Sequence, residues 1–134
     1  MGAWWNTGQS CIAIKRVYIH ESIYERFLRA LVDFTRSQVT VGGPSSNGVS
    51  VVGPIQNEMQ YRKLKDLIEK CRKEGHKFAL DQPDTAQEEL ARQSLESGFF
   101  LWPMIVDNPP KDSSLVTDEQ FGRFHMGCIG EHLR

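Results

Sequence analysis

"IAIKRVYIHESIYERFLRALVDFTRSQ", residues 12–38, contains the change of hydrophobic period on which the fold turns. In residues 12–20, Ile14, Arg16, Tyr18 and His20 alternate with Lys15, Val17 and Ile19. Both sides carry apolar groups, as expected of an interior strand covered by helices. From residue 21 the period lengthens to that of a helix. Ile23, Phe27, Ala30, Leu31 and Phe34 fall at helical spacing and predict the face that meets the core. Ser22 and Glu25 have the spacing of a capping box, which would satisfy the free N–H groups at the helix start.

Outward from this unit, residues 41–54, "VGGPSSNGVSVVGP", read as a long surface loop. The loop has neither G-x-G-x-x-G nor G-K-[ST], so no nucleotide phosphate is expected there. Residues 57–75 predict a second helix. Asn57 would cap it, Tyr61, Leu64, Ile68 and Cys71 would share its buried face, Gly75 would stop it, and its Lys and Arg residues form a solvated side. A short strand at 77–80, a polar loop or weak helix at 81–97 and a strand at 98–106 follow, with Pro103 pointing to an edge or bulge. The connections are long enough for parallel pairing. The expected class is α/β, a mostly parallel sheet flanked by helices.

Composition narrows the function. A chain of 134 residues, 40% hydrophobic and 25% charged, is long enough for one soluble globular domain with a core. Sixteen Lys and Arg against seventeen Asp and Glu leave a net charge of −1, which argues against nucleic acid as a partner. The longest apolar runs fall short of the roughly 20 residues that cross a bilayer, so no membrane partner is expected. The start "MGAWWN" lacks signal-peptide character, and Asn6 spoils a myristoylation pattern, so the expected location is the cytosol. Cys11, Cys71 and Cys128 are widely spaced and odd in number, which favours free thiols over disulfides or a zinc knuckle.

Residues 4–11, "WWNTGQSC", place Cys11 after a glycine that would permit a tight turn. A turn that opens a helix beside a cysteine lowers its thiol pKa and aims free N–H groups at an oxyanion. The residues alone leave two readings of Cys11 open, a nucleophile or a small buried hydrophobe. Cys71, on an apolar helix face, reads as inert core. His20 and His76 read as solvent-facing boundary residues, and Trp4 and Trp5 as packing or subunit contacts.

"WWNTGQSC" resembles the aldehyde dehydrogenase signature of two aromatics followed by N-x-G-Q-x-C. The likeness continues through "YIHESIYERFLRAL", "VGPIQNEMQYRKLKDLIEKCRKEG", "GFFLWPMIVDNPP" and "DEQFG", covering residues 4–122 in the family's order. The resemblance implies a truncated aldehyde dehydrogenase-like catalytic domain at 1–122 and a divergent tail at 123–134. It also implies that Cys11 attacks an aldehyde, that hydride passes to NAD(P), and that water releases the thioester. Cys11 would be the nucleophile and its own N–H part of the oxyanion site, with Asn6 shaping the loop on that substrate side. Glu119 would hold the nicotinamide ribose and Phe121 would lie beside the cofactor.

In that family the cofactor domain, the water-activating glutamate and the oxyanion asparagine precede the cysteine, and only ten residues do so here. The resemblance therefore implies no NAD(P) site within this chain. The expected chemistry is a thiol acting on a small carbonyl substrate such as an aldehyde or thioester. His125 and His132 are candidate bases in a tail where Gly127 and Gly130 predict an irregular terminus. His125, Cys128 and His132 match no common zinc spacing, so no metal is expected. Two alternatives stand beside the enzyme: a binding or assembly module, and aldehyde oxidation when another chain supplies the cofactor domain. An incomplete sheet would expose edges, so a homo-oligomer or protein partner is expected to cover them.

Overall fold

Leu64, Ile68 and Cys71 recur at helical spacing, and Ile105 and Val106, side by side in a short apolar run, fall on opposite faces of one sheet, Val106 on the face that those helix residues cover. The computed structural model describes residues 2–39, 41–42, 52–81, 83, 93 and 98–118, and the backbone of 124–131. Among them the chain runs β1 (Arg16–His20), α1 (Tyr24–Gln38), α2 (Glu58–Lys73), β2 (Lys77–Leu80), β3 (Met104–Asp107), α3 (Ser114–Thr117) and β4 (Phe124–Glu131). The sheet order is β1-β4-β3-β2. β4 pairs parallel with both β1 and β3, and β2 pairs antiparallel with β3. This is the α/β class with a mostly parallel sheet.

β3 is buried along its whole length because its alternate residues meet different helices. Ile105 joins Ile19, Leu80, Leu28 and Trp4 on the α1 side, while Met104 and Val106 join Leu64, Ile68, Cys71 and Leu115 on the α2 side. Pro103 stands immediately before this strand. Its missing N–H makes it a starting residue, so β3 begins at Met104 and lies inside the sheet, not at an edge. The ladder to β4 shifts between Met104 and Val106, close to that proline.

β1 departs from expectation in the other direction. It begins at Arg16 and forms an edge of the sheet, and Tyr18 is 56% exposed because α2 covers only the β2–β3 half of that face. The predicted irregular terminus is also corrected. The backbone of 124–131 is a strand because β1 and β3 each offer it a ladder edge, and Gly127 pairs with Arg16 on one side and Val106 on the other.

α2 forms as its sequence predicts. The Asn57 side chain accepts from the Gln60 N–H at 2.9 Å, and Leu64, Ile68 and Cys71 are buried. At its end Gly75 adopts φ 76°, with Gly75 N–H on the Arg72 carbonyl and His76 N–H on the Cys71 carbonyl. This double closure needs a left-handed residue, which glycine supplies without strain. His76 is not solvent-facing: its side chain is 4% exposed, and Nε2 lies 2.8 Å from Ser113 Oγ, tying the end of α2 to the start of α3.

α1 differs from its prediction twice. A 3-10 turn, Glu21–Ile23, precedes it, and His20 rather than Ser22 does the capping: His20 Nδ1 accepts from the Ser22 N–H at 3.2 Å. The buried side is also rotated. Leu28 and Thr35 are buried with Tyr24, Leu31 and Val32 packed beside them, whereas Ile23, Phe27 and Phe34 are 41%, 38% and 40% exposed. Residues 43–51 of the predicted 41–54 loop and most of the polar segment 81–97 lie outside the described residues. Among the described residues no helix is long and apolar enough to cross a membrane.

Candidate active site

The turn before Cys11 is built from strained backbone. Asn6, Thr7 and Gly8 take φ values of 50°, 60° and 65° in succession. Glycine adopts that region freely, but a β-branched threonine there costs on the order of 1–3 kcal/mol. Neighbouring groups hold the turn in place. Thr7 N–H donates to the Trp4 carbonyl at 3.0 Å and Gln9 N–H to the Asn6 carbonyl at 2.9 Å. The Asn6 amide donates to the Gln9 carbonyl at 3.3 Å, so Asn6 shapes the loop. Trp4 is buried in the core beneath it, while Trp5 is 68% exposed.

Long-range contacts hold the turn more firmly. Thr7 Oγ1 accepts from the Gly53 N–H at 3.0 Å. Gln9 uses both ends of its amide, donating to the Pro54 carbonyl at 3.3 Å and accepting from the Gln56 N–H at 2.8 Å. The Lys15 ammonium donates to the Gly8 carbonyl. Thr7, Gln9 and Lys15 thus hold the turn, and although Gln9 belongs to the quoted motif, the sequence reading gave none of the three this role. The partners of Thr7 and Gln9 lie in residues 53–56, and nothing local to the motif names them.

Cys11 emerges from this turn exposed. It makes no hydrogen bond to any described residue, so its backbone N–H is uncommitted. The helix expected to open beside it is absent: Ala13 N–H closes a turn onto the Ser10 carbonyl at 3.1 Å, and the chain enters β1. Cys71 behaves as core. It is fully buried, and burial is the main cause that pushes its thiol up to about 11.

The other candidates divide by location. β4 runs parallel to β1 with Gly127 opposite Arg16, so the backbone of His125 lies at the end of the sheet where the cysteine turn enters β1. His132, Glu119 and Phe121 lie outside the described residues. The residue before Glu119 is placed, however. Arg16 Nη2 donates to the Asp118 carbonyl at 3.0 Å, which brings that segment to the same end of the sheet as Cys11's turn. Arg16 Nε is buried without a partner, another feature sequence reading missed.

A second concavity lies at the opposite end of β1 and β3, an open groove of about 750 Å³ that does not include Cys11. Glu21, Glu25, Glu74, His76, Lys77 and Asp107 contribute its polar wall. Asp107, 7% exposed, accepts from the Tyr24 hydroxyl and the Lys77 ammonium, one on each oxygen. The hydrogen bond that Lys77 donates to Asp107, and then the charge of that carboxylate, raise the Lys77 pKa.

Comparison with known proteins places this arrangement. The aldehyde dehydrogenase family model matches residues 1–125. Aldehyde dehydrogenase LUC3 of a Fusarium species is 36% identical over 121 residues, covering 90% of this chain and 23% of that protein. D-glyceraldehyde dehydrogenase (NADP(+)) of Picrophilus torridus is 34% identical over 87% of this chain and 22% of its own. The solved structure of aldehyde dehydrogenase C of Pseudomonas syringae with NAD+ and octanal superposes with a TM-score of 0.79 at 25% identity, over 98% of this chain and 25% of that one. The chain thus spans between 22% and 25% of the length of these relatives. On the extent of these matches, this chain belongs to the aldehyde dehydrogenase family.

Proposed function

We propose that Cys11 is a nucleophile toward an aldehyde, a thioester or another activated carbonyl. The observation that carries this reading is an exposed sulfur behind a strained, multiply clamped turn, with its own N–H uncommitted. The thiolate adds to the carbonyl carbon, and the π pair moves to oxygen, where the Cys11 N–H donates to it. From an aldehyde, the adduct takes a proton and becomes a thiohemiacetal, which reverts. From an activated ester or thioester, the intermediate collapses, the leaving group departs with its electron pair, and acyl-Cys11 remains. Water then releases the acid, with His125 as the proposed base.

NAD(P) serves the relatives as hydride acceptor. The groove at the end of β1 and β3 carries Glu21, Glu25, Glu74 and Asp107 beside His76 and Lys77, an acid-rich wall that disfavours a diphosphate there. Glu119 and Phe121 remain candidates through resemblance. Aldehyde oxidation is therefore proposed only with the remaining three quarters of the fold, in this polypeptide or another. A reducing, cytosolic setting goes with the reading, since Cys11 and Cys71 are free thiols.

The test is acylation by p-nitrophenyl acetate, followed by intact mass and peptide mapping. One acetyl group on Cys11 with a nitrophenolate burst is expected, and Cys11→Ala should remove both. Equal turnover by Cys11→Ala would overturn the proposal. A second reading, a non-catalytic assembly module, rests on a separate observation, the uncovered apolar stripe of α1.

A further inference from the structure

We propose that Thr7 is a positioning residue for Cys11: its hydroxyl, by accepting the Gly53 N–H, holds the turn in the shape that keeps the Cys11 N–H aimed at an oxyanion. This role rests on the nucleophile reading of Cys11 and deepens it. A trans peptide is planar, so the Cys11 N–H points away from the Ser10 carbonyl that shares its peptide bond. That carbonyl accepts from the Ala13 N–H at 3.1 Å, and the two carbonyls before it are held as well, Gln9 by the Asn6 amide and Gly8 by the Lys15 ammonium. The direction of the Cys11 N–H is therefore set by the frame of residues 6–15.

Thr7 ties that frame to the interior. It is 4% exposed and holds φ 60°, a region that disfavours a β-branched residue, between Asn6 at 50° and Gly8 at 65°. Its bonding partner, Gly53, follows Val52, which is fully buried in the α1-side core, and precedes by two residues Ile55, which is buried in the α2-side core. Ile55 is pinned further by its N–H on the Phe99 carbonyl at 2.8 Å. The Thr7 hydroxyl thus grips backbone rooted in both cores. Without it the Gly53 N–H loses its acceptor, and the strained turn loses a restraint against relaxing to negative φ. Gln9 holds the same segment at Pro54 and Gln56, so loss of the Thr7 bond loosens the turn without freeing it. All these contacts lie among the described residues of this chain, so they stand whatever covers its outer surface.

Two reactions of Cys11, both run on the full chain, separate aim from exposure. Acylation by p-nitrophenyl acetate passes through an oxyanion, whereas in alkylation by iodoacetamide the sulfur displaces iodide from a saturated carbon and no oxyanion forms. Thr7→Val keeps the branched shape without the acceptor. It should slow Cys11 acylation by about tenfold while alkylation stays within about twofold of the parent. Thr7→Ser retains the hydroxyl and should recover most of the acylation rate. Thr7→Gly lacks the acceptor but relieves the backbone strain, so it should slow acylation in the same way and keep the fold even if Thr7→Val does not. Acylation by Thr7→Val and Thr7→Gly as fast as the parent's, or a parallel fall in both reactions in a variant with the parental circular dichroism spectrum, would overturn the role of Thr7 and leave Cys11 a nucleophile. No acylation of Cys11 in the parent would overturn both.

Discussion

α1 and α2 carry equally clear helical periodicity, yet only α2 buries the face that its periodicity identifies. The neighbours of α2 are β2, β3 and α3, all present in the chain, so Leu64, Ile68 and Cys71 are covered. α1 has two adjacent apolar sides. One meets Ile19 and Trp4, and the other, with Phe27 and Phe34, meets nothing described. The difference teaches that a hydrophobic period shows a face is apolar without showing what covers it.

The comparison can be broken first at Leu64, which is 1% exposed. Leu64→Ala should cost about 3 kcal/mol in urea unfolding, from lost burial and the cavity left behind; a loss under about 1 kcal/mol would remove the contrast with α1.

Cys71 gives the next effect, through pH. Its thiol titrates at about 11 when folded against 9.0 as the ordinary value, so its contribution to stability is complete below pH 9 and is lost as pH rises toward 11. Lys77 acts in the same direction, since its folded pKa is raised by Asp107 and its contribution fades above its ordinary value of 10.5. Cys71→Ala should flatten the decline in stability between pH 9 and 11, measured relative to each protein's own value at pH 8.

A smaller loss, about 1 kcal/mol, is expected from Asn57→Ala, which removes the α2 cap. The smallest effect should come from α1. Phe27→Ala, measured at concentrations where the chain is monomeric, should change unfolding free energy by no more than about 0.5 kcal/mol, as for an exposed residue. A loss comparable to that of Leu64→Ala would mean that the stripe is core after all.

The legible parts of the fold are those fixed by local chemistry. Asn57, Gly75, the 77–80 strand and the buried side of α2 follow from side-chain spacing and from glycine's freedom at positive φ. The edge position of β1 was not legible, because it depends on β4 taking the interior place, and two glycines concealed β4 as a strand. His76 was misread for a related reason: its partner, Ser113, is remote in sequence. At the candidate site the motif showed the cysteine, and Gly8 showed the turn. The contacts of Thr7 and Gln9 with residues 53–56 depend on tertiary approach, so no spacing rule finds them.

β1 takes as its sheet neighbour β4, a strand translated only after α1, α2, β2, β3 and α3 have been made. While the ribosome is still adding the intervening residues, β1 and β3 leave an empty slot between them, and an unrelated extended peptide could dock there. Such late closure favours slow assembly and a need for protection by chaperones during translation.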